Sequence, residues 1–154
     1  MQDPVDFAFD SMRESDLDEV ADIARQSFTS PWSRAMFENE LLKNPFSDQI
    51  LVRDGRRICG YLFMMVLFDE CHLLDLAVHP EYRRKGVAKM MLRSLIETIG
   101  KKKISKIFLE VRISNRIAIA LYEHFGFVQI ATRKGYYTSP QEDAVILQSR
   151  LSGT

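Results

Sequence analysis

Residues 83–89 read RRKGVAK, three cations and a glycine at the head of a run with helical periodicity. A helix amino terminus leaves up to four unpaired N–H groups and carries about half a positive charge, so an anion settles there when the backbone can come close. Gly86 permits that approach and Ala88 keeps the next turn free of bulk, while Arg83, Arg84 and Lys85 add cationic side chains around the same spot. A diphosphate suits such a turn; the same letters also describe a solvated basic loop before an ordinary helix. A second set of residues lies in FLEVRISNRIAIALYEHFGF, residues 108–127. In an extended strand Ile107, Leu109 and Val111 face one way, which sends Phe108, Glu110 and Arg112 the other and puts a carboxylate in mid-strand. Asn115 and Tyr122 are 7 apart, two helical turns, so the spacing projects both from one side of the next helix, towards the same cleft. A carboxylate and a phenol facing one cleft can move protons. Taken singly, Glu110 also reads as the partner of an arginine on a sheet face, and Tyr122 as a core aromatic whose hydroxyl reaches the surface.

The elements that must position these residues follow from changes of period. Val5, Phe7 and Phe9 alternate with polar neighbours as a half-buried strand does, and Ser15 with Asp18 then reads as the cap of a helix through Leu17, Val20, Ala24 and Phe28. SRAMFENELLKN after Pro31-Trp32 is a second short helix. QILVR and RICGYLFMMVLF flank Asp54-Gly55, a strong hairpin signal, and CHLLDLAV is a further strand stopped by Pro80. Val87, Met91, Leu92, Leu95 and Ile99 form a helical face ended by Gly100. KIFLEV is a strand, NRIAIALYEHF a helix closed at Gly126, and FVQIATR and DAVILQSRL two closing strands. The alternation in the second half requires crossover connections, hence one α/β domain over residues 1–154 with a mixed sheet covered by helices.

Composition removes other classes. The 21 basic residues balance the 21 acidic ones, so no global field draws nucleic acid or an anionic membrane, and any anion site is local. The longest apolar run, Tyr61 to Phe68, is far short of a membrane span, and the acidic start broken by Pro4 is neither a signal nor a transit peptide. Cys59 and Cys71 lack CxxC spacing and His72, His79 and His124 are not spaced as a zinc set, so buried thiols, no metal and a reducing cytoplasm are expected. Neither GxGxxG nor GxxxxGK[ST] occurs, which excludes a dinucleotide Rossmann loop and a nucleotide P-loop.

What is present is Arg83-x-x-Gly86-x-Ala88 directly after a strand ending Ala77-Val78-His79-Pro80, which resembles the acetyl-coenzyme A signature of the GNAT superfamily of N-acetyltransferases. LEVRxSNxxAxxLYxxxGF, the later RKGYYTSPQEDAVIL at 133–147 and Pro31-Trp32-Ser33 are similar to the runs of its RimI-type branch, the ribosomal-protein alanine N-acetyltransferases, across nearly the whole chain. That resemblance implies a mixed, mostly antiparallel seven-stranded sheet flanked by about four helices. It implies that the backbone of Leu76, Ala77 and Val78 pairs with the pantetheine arm of acetyl-CoA. Arg83, Arg84, Lys85, Gly86, Val87, Ala88 and Lys89 would cradle the pyrophosphate, and Asn115 would help hold the coenzyme. Glu110 would be the general base and Tyr122 the general acid; chemically, desolvation in a closed site raises a Glu pKa, so that it takes the proton directly or through a water. Trp32, Tyr136 and Tyr137 would wall an acceptor groove, with Glu142 and Asp143 offering charge to a basic peptide. Asp75 and Ala88 depart from the branch, which commonly carries Asn and Gly there; Asp75 reads either as a second carboxylate bearing on the incoming amine or as a solvated residue at the sheet edge. The implied acceptor is the N-terminal alanine of a protein, a small-subunit ribosomal protein if the relation holds in full. The alternatives are a GNAT enzyme for lysine side chains or small amines, and a sensor that binds acetyl-CoA without turnover.

Overall fold

The computed structural model describes residues 6–151, so Val5 of the expected first strand lies outside the described residues. The described elements run β1 (Phe7–Asp10), α1 (Leu17–Ser27), α2 (Arg34–Leu42), β2 (Ser47–Asp54), β3 (Arg57–Leu67), β4 (Glu70–Val78), α3 (Val87–Lys101), β5 (Lys106–Arg112), α4 (Arg116–His124), β6 (Val128–Thr138) and β7 (Gln141–Arg150). The order matches the one expected from periodicity. The strands make a mixed seven-stranded sheet in the order β1-β2-β3-β4-β5-β7-β6. β4 and β5 run parallel, joined by the α3 crossover, whereas β1 with β2, β5 with β7 and β6 with β7 run antiparallel.

The chain divides into two compact units, Met1–Met64 with Asp75–Met91, and Met65–Leu74 with Leu92–Thr154. In the first, α1 buries Leu17, Val20, Ala21, Ile23 and Ala24 on one face. Its start differs from expectation. Asp16, not Ser15, organises the turn, because its carboxylate accepts the Arg13 N–H at 2.9 Å and pairs with Arg53 at 2.6 Å. Ser33 caps α2, its hydroxyl accepting the Met36 N–H at 3.2 Å. The expected hairpin between β2 and β3 turns through Gly55, at φ 60°, a conformation in which a side chain is strained. β3 is buried from Ile58 through Met64, as a central strand covered on both faces must be.

In the second unit, β5 alternates as its sequence demands, with Ile107, Leu109 and Val111 buried and Phe108, Glu110 and Arg112 partly exposed. Gly100 does not end α3, which continues to Lys101; the left-handed turn falls at Lys103, φ 59°. β6 and β7 extend beyond the predicted FVQIATR and DAVILQSRL and make a long hairpin, so Tyr136 and Tyr137 lie in a strand.

Candidate active site

In the first unit, β4 ends at Val78 and the chain turns through Pro80–Tyr82 into the basic segment. Arg83 braces this turn: its Nε donates to the Val78 carbonyl at 3.1 Å and its Nη2 to the Ser27 hydroxyl at 3.1 Å. Arg84 and Gly86 both take positive φ, 64° and 83°, so the backbone curls twice before α3 begins at Val87. Alternating left-handed residues turn successive N–H groups inward, the geometry of an anion-binding nest, and the first turn of α3 adds its unpaired N–H groups. Arg84, Lys85 and Lys89 are exposed there while Val87 is buried. These residues fit the pyrophosphate of a coenzyme.

Gly60 sets how closely α3 meets the strands beneath it. A Cβ at Gly60 would lie 2.9 Å from Val87 Cγ1, 3.0 Å from Met91 Cε and 3.2 Å from the Ala77 carbonyl oxygen. Sequence reasoning passed over this residue, although a lone glycine inside an apolar strand signals close approach of other atoms.

Two candidate acceptor residues fall in the same unit. Trp32 packs on Phe37 and Phe63, ring centroids 5.2 and 5.9 Å away, and with Ala35, Met36, Asn39 and Glu40 lines an open pocket of about 300 Å³. Phe37 in turn meets Tyr61 edge-on at 5.5 Å, and the Tyr61 hydroxyl donates to Asp75 Oδ2 at 3.0 Å. Asp75 is therefore not a solvated edge residue. Although part of its surface is open, enough protein surrounds the carboxyl that burial pushes it up to about 7, against the lowering effect of the Tyr61 hydroxyl and the Leu76 N–H. Burial and the neighbouring Asp75 charge also push the Tyr61 phenol far up, so it stays a donor.

In the second unit, Glu110 points from the partly exposed face of β5 towards β4, where His72 Nε2 stands 2.6 Å from Glu110 Oε2. The hydrogen bond with His72 holds the Glu110 carboxyl below its ordinary value and outweighs burial. This corrects the expectation of a raised pKa: desolvation does act on Glu110, but a partner favouring the anion dominates. His72 was missed as a site residue because its approach to Glu110 depends on the parallel register of β4 and β5, which pairs His72 with Phe108.

Tyr122 is buried and packs edge-on against Phe127 at 5.7 Å. Asn115 is the cap of α4, its side-chain oxygen accepting the Ala118 N–H at 3.2 Å, and it is exposed. The two do not project from one helical side as their spacing suggested, because Asn115 stands outside the helix and turns back along it.

Tyr136 and Tyr137 lie ring-edge to ring-face at 5.0 Å, the first exposed and the second half-buried. The Arg112 guanidinium stacks over Tyr137 at 4.2 Å, and burial pushes the Tyr137 phenol up to about 12. Arg112 also donates to the Pro140 and Ser139 carbonyls at 2.9 and 3.2 Å and to Glu142 at 3.3 Å. Glu142 accepts the Ser114 N–H at 2.6 Å, and Asp143 accepts the Gly135 N–H at 2.9 Å. Both carboxylates accept hydrogen bonds within the hairpin and its neighbouring loop.

Comparison with known proteins places the chain in a family. The acetyltransferase (GNAT) family matches residues 17–127. The ribosomal protein bS18-alanine N-acetyltransferase of Escherichia coli (strain K12) is 33% identical over 144 residues, covering 92% of this chain and 96% of its own. The crystal structure of the ribosomal-protein-S18-alanine N-acetyltransferase from Escherichia coli superposes with a TM-score of 0.88 at 30% identity, over 96% of each chain. Arabidopsis thaliana NAA60 in complex with acetyl-CoA shares the fold, with a TM-score of 0.84 at 18% identity over 96% of this chain and 100% of that one. With a family match across most of its length and an alanine acetyltransferase similar to it nearly end to end, this chain is an N-acetyltransferase and belongs to the acetyltransferase (GNAT) family.

Proposed function

We propose that this chain moves the acetyl group of acetyl-CoA to the N-terminal alanine of a small-subunit ribosomal protein, the bS18 for which its Escherichia coli relative is named. It does so as one domain, with Glu110 as general base and Tyr122 as general acid. The observation that carries the reading is the Glu110 carboxylate on β5, kept ionised and fixed by His72.

Acetyl-CoA supplies an activated acyl group and a thiolate leaving group. The nest at Arg84–Lys89 binds its pyrophosphate, and Leu76–Val78, at the end of β4 beyond the residues paired with β5, offer backbone groups to its extended arm. Asn115 helps to hold it beside the cap of α4.

An α-amine has a pKa near 8, so about a tenth of it is neutral at pH 7, against far less of a lysine. Glu110, held low, is a weak base towards a free ammonium. It orients the neutral amine through a hydrogen bond and takes the proton as the N–C bond forms, when the nitrogen becomes far more acidic. Tyr122 donates its phenolic proton to the departing sulfur. Trp32, Asp75, Tyr136 and Tyr137 select the acceptor.

Mass spectrometry of two matched peptides with acetyl-CoA tests the reading. One begins with a free alanine; the other has that end blocked and its lysines available. Acetylation confined to the free alanine is expected. Modification of the blocked peptide would move the chain to lysine acceptors, and transfer to neither would remove the peptide reading.

A further inference from the structure

Glu110 has a partner that acid–base chemistry alone does not require. His72 of β4 is in register with Phe108 of β5, so the residue two further along β5, Glu110, lies on the same face and diagonal to it. Nε2 of His72 is 2.6 Å from Oε2 of Glu110, with side chains 28% and 17% exposed, and the imidazole also meets the Phe108 ring edge-on at 5.8 Å. A nitrogen so near a carboxylate oxygen carries the proton, because a lone pair there would face a lone pair.

We propose that His72 is a positioning residue for acyl transfer: it donates Nε2–H to Glu110 Oε2, fixes the carboxylate rotamer and keeps the group an anion, leaving Oε1 to receive the acceptor's amine proton. The inference rests on Glu110 being the base. Other groups act on Glu110 through space without replacing this contact. Arg133 on β6 favours the anion, and Tyr137 on β6 feels its charge. Arg112, two residues along β5, is committed to the Ser139 and Pro140 carbonyls and to Glu142.

The test is a mutant cycle on the alanine peptide, with kcat, both KM values and pH profiles from 5 to 8. His72→Phe keeps a ring against Phe108 but removes the donor; His72→Gln keeps a donor. We expect His72→Phe to lower kcat about tenfold or more with KM for acetyl-CoA unchanged. The acidic limb assigned to Glu110 moves to higher pH, while the limb set by the acceptor's own amine, near 8, stays the same. His72→Gln recovers part of the rate, and His72→Phe costs nothing further in a Glu110→Gln background. A wild-type rate and pH profile in His72→Phe, with Glu110→Gln inactive, overturns the inference and leaves the base in place. An equal loss from His72→Phe in both backgrounds overturns it too, since His72 would then act independently of Glu110. Full activity in Glu110→Gln overturns the base assignment itself. If His72→Phe does not fold, His72→Leu, which also lacks a donor, takes its place: a wild-type rate with an unmoved acidic limb refutes the role, and a loss of rate with the limb moved upward supports it.

Discussion

Replacing Asp75 with asparagine removes a titrating carboxyl while leaving an oxygen to accept the Tyr61 hydroxyl, now 3.0 Å from Asp75 Oδ2. Burial raises the Asp75 carboxyl from 3.8 to about 7, so the folded chain binds this proton more tightly than the unfolded chain does. Stability from Asp75 is therefore fully present below the unfolded value and is lost as pH rises through the folded one. At 1.36 kcal/mol per pH unit the ceiling on that loss is about 4 kcal/mol, and the partly open surface of Asp75 brings the expectation to about 1–3 kcal/mol. Asp75→Asn should match the wild type near pH 4, gain on it from there upward, and level off above about pH 7. For a chain of 154 residues, at about 2–4 °C per kcal/mol, the gap at pH 8 is several degrees in Tm. Thermal unfolding followed by circular dichroism at half-unit steps from pH 4 to 8 measures it. A gap independent of pH, or a wild type more stable than the variant at pH 8, would refute the reasoning.

Gly60→Ala places a methyl against Val87, Met91 and the Ala77 carbonyl, and the carbonyl cannot rotate away. We expect a loss of about 1–3 kcal/mol in urea unfolding and weaker acetyl-CoA binding by calorimetry, with the acceptor KM unchanged. Arg84→Gly relieves a left-handed side chain at φ 64° and removes a cation from the nest. Stability should rise by about 1 kcal/mol while the KM for acetyl-CoA increases, a change in opposite directions that equilibrium unfolding and steady-state kinetics would detect.

Local signals were enough for most of the fold. The alternation in KIFLEV put Glu110 on the face opposite Ile107, Leu109 and Val111, and Asp54-Gly55 located the hairpin. Gly86 in the basic turn takes positive φ, and so does Arg84, which no propensity favours. What was not legible came from contacts between segments far apart in the chain. His72 and Glu110 are 38 residues apart, so neither their hydrogen bond nor the lowered Glu110 pKa follows from the neighbours of either. Asp75 shares its strand's polar letters with solvated positions, and only Tyr61, brought alongside from β3, reveals it as a buried acid. Nothing in the neighbours of Glu142 and Asp143 announces that they accept from Arg112, the Ser114 N–H and the Gly135 N–H.

Arg112 has a bearing on redesign. Its guanidinium ties the strand that carries Glu110 to both carbonyls at the tip of the β6–β7 hairpin and to the Tyr137 ring. A hairpin grafted from a relative to change which N-terminus is accepted would arrive without this anchor unless position 112 and its carbonyl geometry were carried over together. On the roles proposed for the hairpin and for Glu110, acceptor choice and proton transfer are linked as a single module for engineering, and substitutions confined to the outer, solvent-facing residues of β6 are the ones expected to retune the first while leaving the second alone.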